Sequence, residues 1–156
     1  MRKLKNESEF QRFLRRSLSY HFLDPETNKP RSKFKKNHGN EYSEKGVSDV
    51  DGHALGWYIA IECKMWTGRP STVQQAFLRS VESTGGIGLF SIYRYIGGNH
   101  KFFWVPGSMP FSYRMSRIWP QSTTRMVRSD PGDESSPMIE VADCSPLQTF
   151  IDMKER

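Results

Sequence analysis

The chain has 156 residues, 36% of them hydrophobic and 13% aromatic, with a formal net charge of +6 at pH 7. That length supports one domain with a real core, and the aromatic content excludes a mainly disordered chain. No run of eighteen apolar residues occurs, so no membrane span is expected.

Two cysteines, Cys63 and Cys144, lie far apart and suggest neither a disulfide framework nor a zinc motif. The basic start, Met1 to Lys5, is not followed by an apolar run, so a secretory signal is not expected. The chain therefore reads as a reduced, intracellular, cytoplasmic protein. Its charge is uneven. Residues 1–48 carry +6, residues 49–95 carry 0, residues 96–128 carry +5 and residues 129–156 carry −5. Two basic blocks around a neutral centre suit a polyanion.

Residues 6–20 read as a helix, with Phe10, Phe13, Leu14 and Leu18 at helical spacing. Asn6 suits the N-cap, with Glu9 at the third helical position. Glu7, Gln11, Leu14 and Leu18 share one stripe. Acids in a first turn also favour the helix dipole with no further role. Residues 21–45 contain Asp24-Pro25 and Lys29-Pro30, which break helices. A short strand around Arg31 to Lys36 is the sheet's candidate first strand. Its Lys33, Lys35 and Lys36, with Lys45 beyond, are candidate phosphate contacts; a solvated loop is the alternative.

A strand from about Val47 to His53 places Asp49, Asp51 and His53 on one face. Leu55-Gly56 marks a hairpin turn. The next strand reads Ile59-Ala60-Ile61-Glu62-Cys63-Lys64. Its side chains alternate, so Trp57, Ile59, Ile61 and Cys63 share one face and Tyr58, Ala60, Glu62 and Lys64 the other. Antiparallel pairing brings Asp49 beside Glu62 and Lys64. Two carboxylates suit Mg²⁺ or Mn²⁺, hard cations with oxygen ligands, and the Cys63 carbonyl is a candidate third oxygen. Lys64 would stabilise developing charge or orient a water. Asp51 is either an extra ligand or solvent-facing, with the second preferred.

Residues 71–83 read as a second helix with Val73, Phe77 and Val81 inward, ended by Gly85-Gly86. Gln74 lies three residues after Ser71 and can complete a capping box. Ile87 to Arg94 and Lys101 to Val105 flank Gly97-Gly98-Asn99 as a hairpin. Residues 111–119 mix aromatics with Arg114 and Arg117. That mix suits base stacking and phosphate contact, or an amphipathic core strand or helix with exposed arginines. Arg69 joins the candidate nucleic-acid contacts. Residues 129–136 read as an acidic linker, and Ser145-Pro146 starts a short C-terminal helix.

The ordered set Gly46-Val47-Ser48-Asp49, Glu62-Cys63-Lys64 and Ser71-Thr72-Val73-Gln74, behind a helix with Glu7, resembles the VRR-NUC group of the PD-(D/E)XK nucleases. The resemblance covers residues 5–94. Ser48 stands where Pro is frequent, and the C-terminal third lies outside the pattern. The resemblance implies that Glu7 reaches the metal site, with Glu9 as runner-up, and that Gln74 reaches the active site near Lys64. It implies an α/β restriction-endonuclease-like core in the order α-β-β-β-α-β, a small mixed sheet flanked by helices and extended by the C-terminal hairpin. Residues 1–128 would form that domain, with residues 129–156 as a linker and helix packed on it. The expected function is a metal-dependent endonuclease acting on DNA, with branched or flapped DNA and a homodimer suggested by stand-alone relatives in phage-like settings. A non-catalytic DNA-binding subunit and an RNA-directed nuclease are the alternatives. No small-molecule cofactor is expected.

Overall fold

The computed structural model describes residues 1–37 and 48–156. Lys45, Gly46 and Val47 lie outside the described residues. The elements run α1 (Glu7–His21), β1 (Ser32–Lys36), β2 (Val50–Ala54), β3 (Trp57–Met65), α2 (Thr72–Ser83), β4 (Ile87–Ile96) and β5 (Asn99–Pro106). A 3-10 turn at Tyr113–Met115 follows, then β6 (Gln121–Ser122), β7 (Thr124–Arg128), β8 (Met138–Ala142) and α3 (Ser145–Lys154).

The central sheet has six strands in the order β1-β2-β3-β4-β5-β6. Only β3 and β4 pair in parallel, joined through α2, and the other neighbours are antiparallel. The fold is therefore mixed α/β, and its first seven elements follow the expected α-β-β-β-α-β order with β5 extending the sheet.

Each helix is fixed by its own sequence. Asn6 Oδ1 accepts the Glu9 N–H at 2.9 Å and caps α1. The apolar stripe of α1 buries Phe10, Phe13, Leu14 and Leu18 against Ile59, Ile61, Cys63, Leu89 and Phe102 on one face of the sheet. On the opposite face, Leu78 and Val81 of α2 pack with Ala60, Phe90, Ile92 and Val105. Val73, expected inward, is 55% exposed, because the sheet-facing stripe of α2 runs through Gln74, Leu78 and Val81, and Val73 lies off that stripe. At Gly88 and Gly107 a Cβ would come within 2.6 Å of the Leu78 carbonyl oxygen and 2.5 Å of Leu78 Cβ. Those two glycines let α2 sit directly on backbone.

The last third holds more structure than expected. Residues 111–119 form neither strand nor helix beyond the single 3-10 turn. Phe111, Tyr113 and Trp119 still pack on the α2-side core. Residues 129–136 join β7 to β8, which form a separate two-stranded sheet. Ser17 of α1 ties that hairpin down by accepting the Ala142 N–H at 2.8 Å. Leu147 and Ile151 of α3 join the α1-side core.

Candidate active site

The β2–β3 register pairs Val50 with Ile61 and Asp51 with Ala60. One step further along the same antiparallel register, Asp49 stands opposite Glu62. The turn between the strands is Leu55-Gly56, with φ of 52° and 86°. The alternation along β3 is as the sequence dictates, with Ile59, Ile61 and Cys63 in the α1-side core and Ala60 in the α2-side core.

Glu62 is 2% exposed. Its Oε1 accepts Gln74 Nε2 at 2.7 Å, while its Oε2 is buried with no hydrogen-bond partner. Burial pushes the Glu62 carboxyl up to about 9, and the adjacent Asp49 carboxyl adds to the rise; the Lys64 ammonium offsets only part of it. Two ionised carboxylates have no proton to place between them. The pair therefore needs a proton or a cation. Asp49 is held in place by its Oδ2, which accepts the Cys63 N–H at 2.9 Å.

Lys64 is 7% exposed, and its Nζ lies 3.9 Å from Glu7 Oε1. The structure thus brings Glu7 to the Lys64 ammonium. Glu9 goes elsewhere, accepting from the Lys5 N–H at 2.7 Å and from Arg2 at 3.0 Å. Among the described residues, no three His, Cys, Asp or Glu side chains gather as a metal cluster. The acid centre is the Asp49–Glu62 pair, with Glu7 set against Lys64.

Gln74 makes contacts to Ser71 and to Glu62. Its side-chain Oε1 accepts the Ser71 N–H at 2.9 Å and its backbone N–H donates to Ser71 Oγ at 3.1 Å, closing a capping box. Its Nε2 is left for Glu62. The start of α2 and the acid pair are therefore positioned by the same side chain. The Cys63 thiol is fully buried on the other face, and burial raises its pKa well above the usual thiol range. It is not a nucleophile.

Asp51 corrects an expectation. It is neither solvent-facing nor part of the acid centre. At 8% exposure it accepts Asn37 Nδ2 at 2.9 Å and the Tyr58 hydroxyl at 2.8 Å. The Tyr58 partnership was legible, since Tyr58 and Asp51 share a sheet face on paired strands. Asn37 left no signal. His53 is exposed, with its ring 5.4 Å from that of Tyr58.

The basic residues divide. Lys33 and Lys35 are exposed on the sheet face that carries Asp51 and Glu62. Lys36, next in the alternation, turns to α1 and donates to Ser8 Oγ at 2.8 Å. Arg69, Arg114 and Arg117 are exposed, and Arg69 and Arg114 line one recess with Tyr113. The Tyr113 hydroxyl donates to the Gly68 carbonyl, a contact the sequence did not announce.

No family model matches the chain, and no curated protein matches it. Among solved structures the chain is similar to Hjc, a Holliday junction resolvase from the archaeal hyperthermophile Archaeoglobus fulgidus. The two are 15% identical, the likeness covers 57% of this chain and 81% of that one, and the TM-score is 0.41. A likeness of that size carries nothing about function, which has to come from this chain's own residues. No helix among the described residues is long and apolar enough to cross a membrane.

Proposed function

We propose that this protein is a metal-dependent endonuclease that hydrolyses phosphodiester bonds in DNA. One observation carries the reading: a buried carboxylate, Glu62, keeps one oxygen without a partner while a second carboxylate, Asp49, faces it. The residues fit a divalent cation, because a cation supplies the charge this pair lacks and oxygen is the ligand Mg²⁺ and Mn²⁺ prefer. Asp49 and Glu62 would hold it, with the Cys63 carbonyl as a further candidate oxygen. Bound there, such a cation polarises a phosphate oxygen and lowers the pKa of a water.

The chain's own residues do the rest. Lys64 stands beside the pair with its ammonium desolvated, where it stabilises negative charge that grows on the phosphate. Glu7 holds that ammonium from the α1 side. Gln74 fixes the Glu62 carboxylate by one oxygen and leaves the other free. Lys33 and Lys35 extend positive charge across the same sheet face toward a phosphate backbone. Branched or flapped DNA and a homodimer belong to this proposal through the VRR-NUC resemblance, which rests on the motif stretches alone.

The test is incubation of the purified protein with labelled duplex, single-stranded, flap and four-way DNA, and with matching RNA, with EDTA, Mg²⁺ or Mn²⁺. Metal-dependent cleavage of DNA is expected. Binding without cleavage under every condition would make the protein a DNA-binding subunit with a nuclease fold. Cleavage confined to RNA would change the substrate class.

A further inference from the structure

A recess of about 450 Å³ opens between the segment that enters α2 and the loop through Tyr113, and does not include the acid pair. Its lining combines two arginines, Arg69 and Arg114, two aromatic rings, Phe111 and Tyr113, and the polar Gln75 and Ser112. No acid lines it among the described residues. Its size falls within the roughly 300–1,000 Å³ of sites that take small organic ligands.

Three links join this recess to the residues around the acid pair. Gln75 follows Gln74, whose amide holds Glu62. The Tyr113 hydroxyl is bonded to the carbonyl of Gly68, the residue before Arg69. A side chain on Gly68 would lie 3.2 Å from Glu7 Oε1 and 3.6 Å from Lys64 Cδ. The turn that carries Arg69 into the recess is therefore also the wall behind Lys64.

The chemistry of the recess is specific. Arginines bind phosphate through a planar fork. Aromatic rings next to arginine take the π-face of a base, whatever its identity. A paired base is stacked inside its duplex and cannot enter a concavity. A duplex backbone presents a ridge, for which an open basic face such as that of Lys33 and Lys35 suffices. A base that has left its stack, with its own phosphate, matches both the shape and the lining.

We propose that this recess is a subsite for one unpaired nucleotide of the DNA strand whose scissile phosphate lies at Asp49 and Glu62. Phe111 and Tyr113 meet the base, and Arg69 and Arg114 meet the phosphates beside it. The placement of the strand rests on the nuclease reading; the preference for an unpaired nucleotide does not. The subsite makes the enzyme selective for DNA in which at least one nucleotide next to the cut is free of its partner.

The test is binding without cleavage. Fluorescence anisotropy in EDTA compares a labelled blunt hairpin duplex with the same duplex carrying a short oligothymidine tail. The wild-type protein should bind the tailed probe about tenfold more tightly, the scale of one base stacked on an aromatic site. The double variant Arg69→Ala/Arg114→Ala should lose most of that gain. Ser112→Trp, which fills the recess and removes no charge, should lose it as well. Circular dichroism on each variant confirms the fold, and both arginines are exposed, so their removal leaves the core intact. Equal wild-type affinity for the two probes would overturn the subsite. So would a fall by the same factor on both probes in the arginine variant, which is the mark of plain backbone contacts. A preference for the tailed probe in a protein that cleaves nothing with Mg²⁺ or Mn²⁺ would remove the nuclease reading and support the subsite. Cleavage without any such preference would do the reverse.

Discussion

Asp51 and Glu62 are acids on the same face of the central sheet, 8% and 2% exposed, and their surroundings differ in kind. Asp51 accepts from Asn37 and from Tyr58, and Lys35 stands 4.0 Å away. Two donors replace the water it lost, and the group is settled. Glu62 has one bond, one bare oxygen and a second carboxylate in front of it. An unsatisfied buried polar group costs on the order of 1–3 kcal/mol. The contrast teaches that burial alone does not mark a functional acid. Missing compensation is what sets Glu62 apart and what the proposed metal role rests on.

The sharpest way to break the comparison is to neutralise each acid in turn. Asp49→Ala and Glu62→Gln should each abolish metal-dependent cleavage with the far-ultraviolet circular dichroism unchanged. Asp51→Asn should keep cleavage and instead lower unfolding stability by about 1–3 kcal/mol, because one of the two oxygens that accept from Tyr58 and Asn37 becomes an NH2 donor. If Asp51→Asn is as inactive as Glu62→Gln, the two acids are not different in kind.

Lys64 comes next in size. Lys64→Ala should slow single-turnover cleavage by about 10²-fold or more, the scale of one lost preorganised donor. DNA affinity should hold. Lys64→Arg should not rescue fully, since a planar fork is not a compact ammonium. A loss of affinity in proportion to rate would make Lys64 an ordinary phosphate contact.

The same contrast predicts a pH dependence. The Glu62 carboxyl rises from the ordinary 4.5 to about 9 in the folded chain. Between those values the folded state holds more protons than the unfolded one. Stability in EDTA should therefore fall as pH rises through that window. A bound divalent cation should shallow the slope, and so should Glu62→Gln. Urea unfolding at a series of pH values measures it. A slope unchanged in Glu62→Gln would place the titrating group elsewhere.

The smallest effect belongs to the opposite face of β3. Cys63→Val should keep full activity at a stability cost under about 1.5 kcal/mol, as a volume-conserving core change. Loss of activity with stability intact would show that the two faces of the strand are not independent.

Much of the centre was legible because a strand has a period of two. Once Ile59, Ile61 and Cys63 are assigned to the core, Glu62 and Lys64 have to face the other way. The Gln74 capping box was legible from Ser71 three residues earlier. Lys36 was not separable from Lys33 and Lys35 until β1 had defined ends, since one residue decides the face. The fate of Asp51 depended on Asn37, a loop residue with no periodicity. The β7–β8 hairpin escaped because its strands are short and β7 is mostly exposed, so Thr124–Arg128 shows no apolar alternation. The loop through Tyr113 owes its place to contacts with Gly68 and the α2-side core, which no local pattern encodes.

The seat of α2 on Gly88 and Gly107 has a mechanical consequence. At Gly88 and Gly107 Leu78 rests on bare backbone, so at those two points no side chain separates helix from sheet. The height of α2 is fixed at Leu78. Gln74 is one helical turn away, toward the N-terminal end. A displacement of Gln74 would then tilt α2 about Leu78. Such a tilt would carry Ser71 and the residues before it along with Gln74, because the capping box joins them.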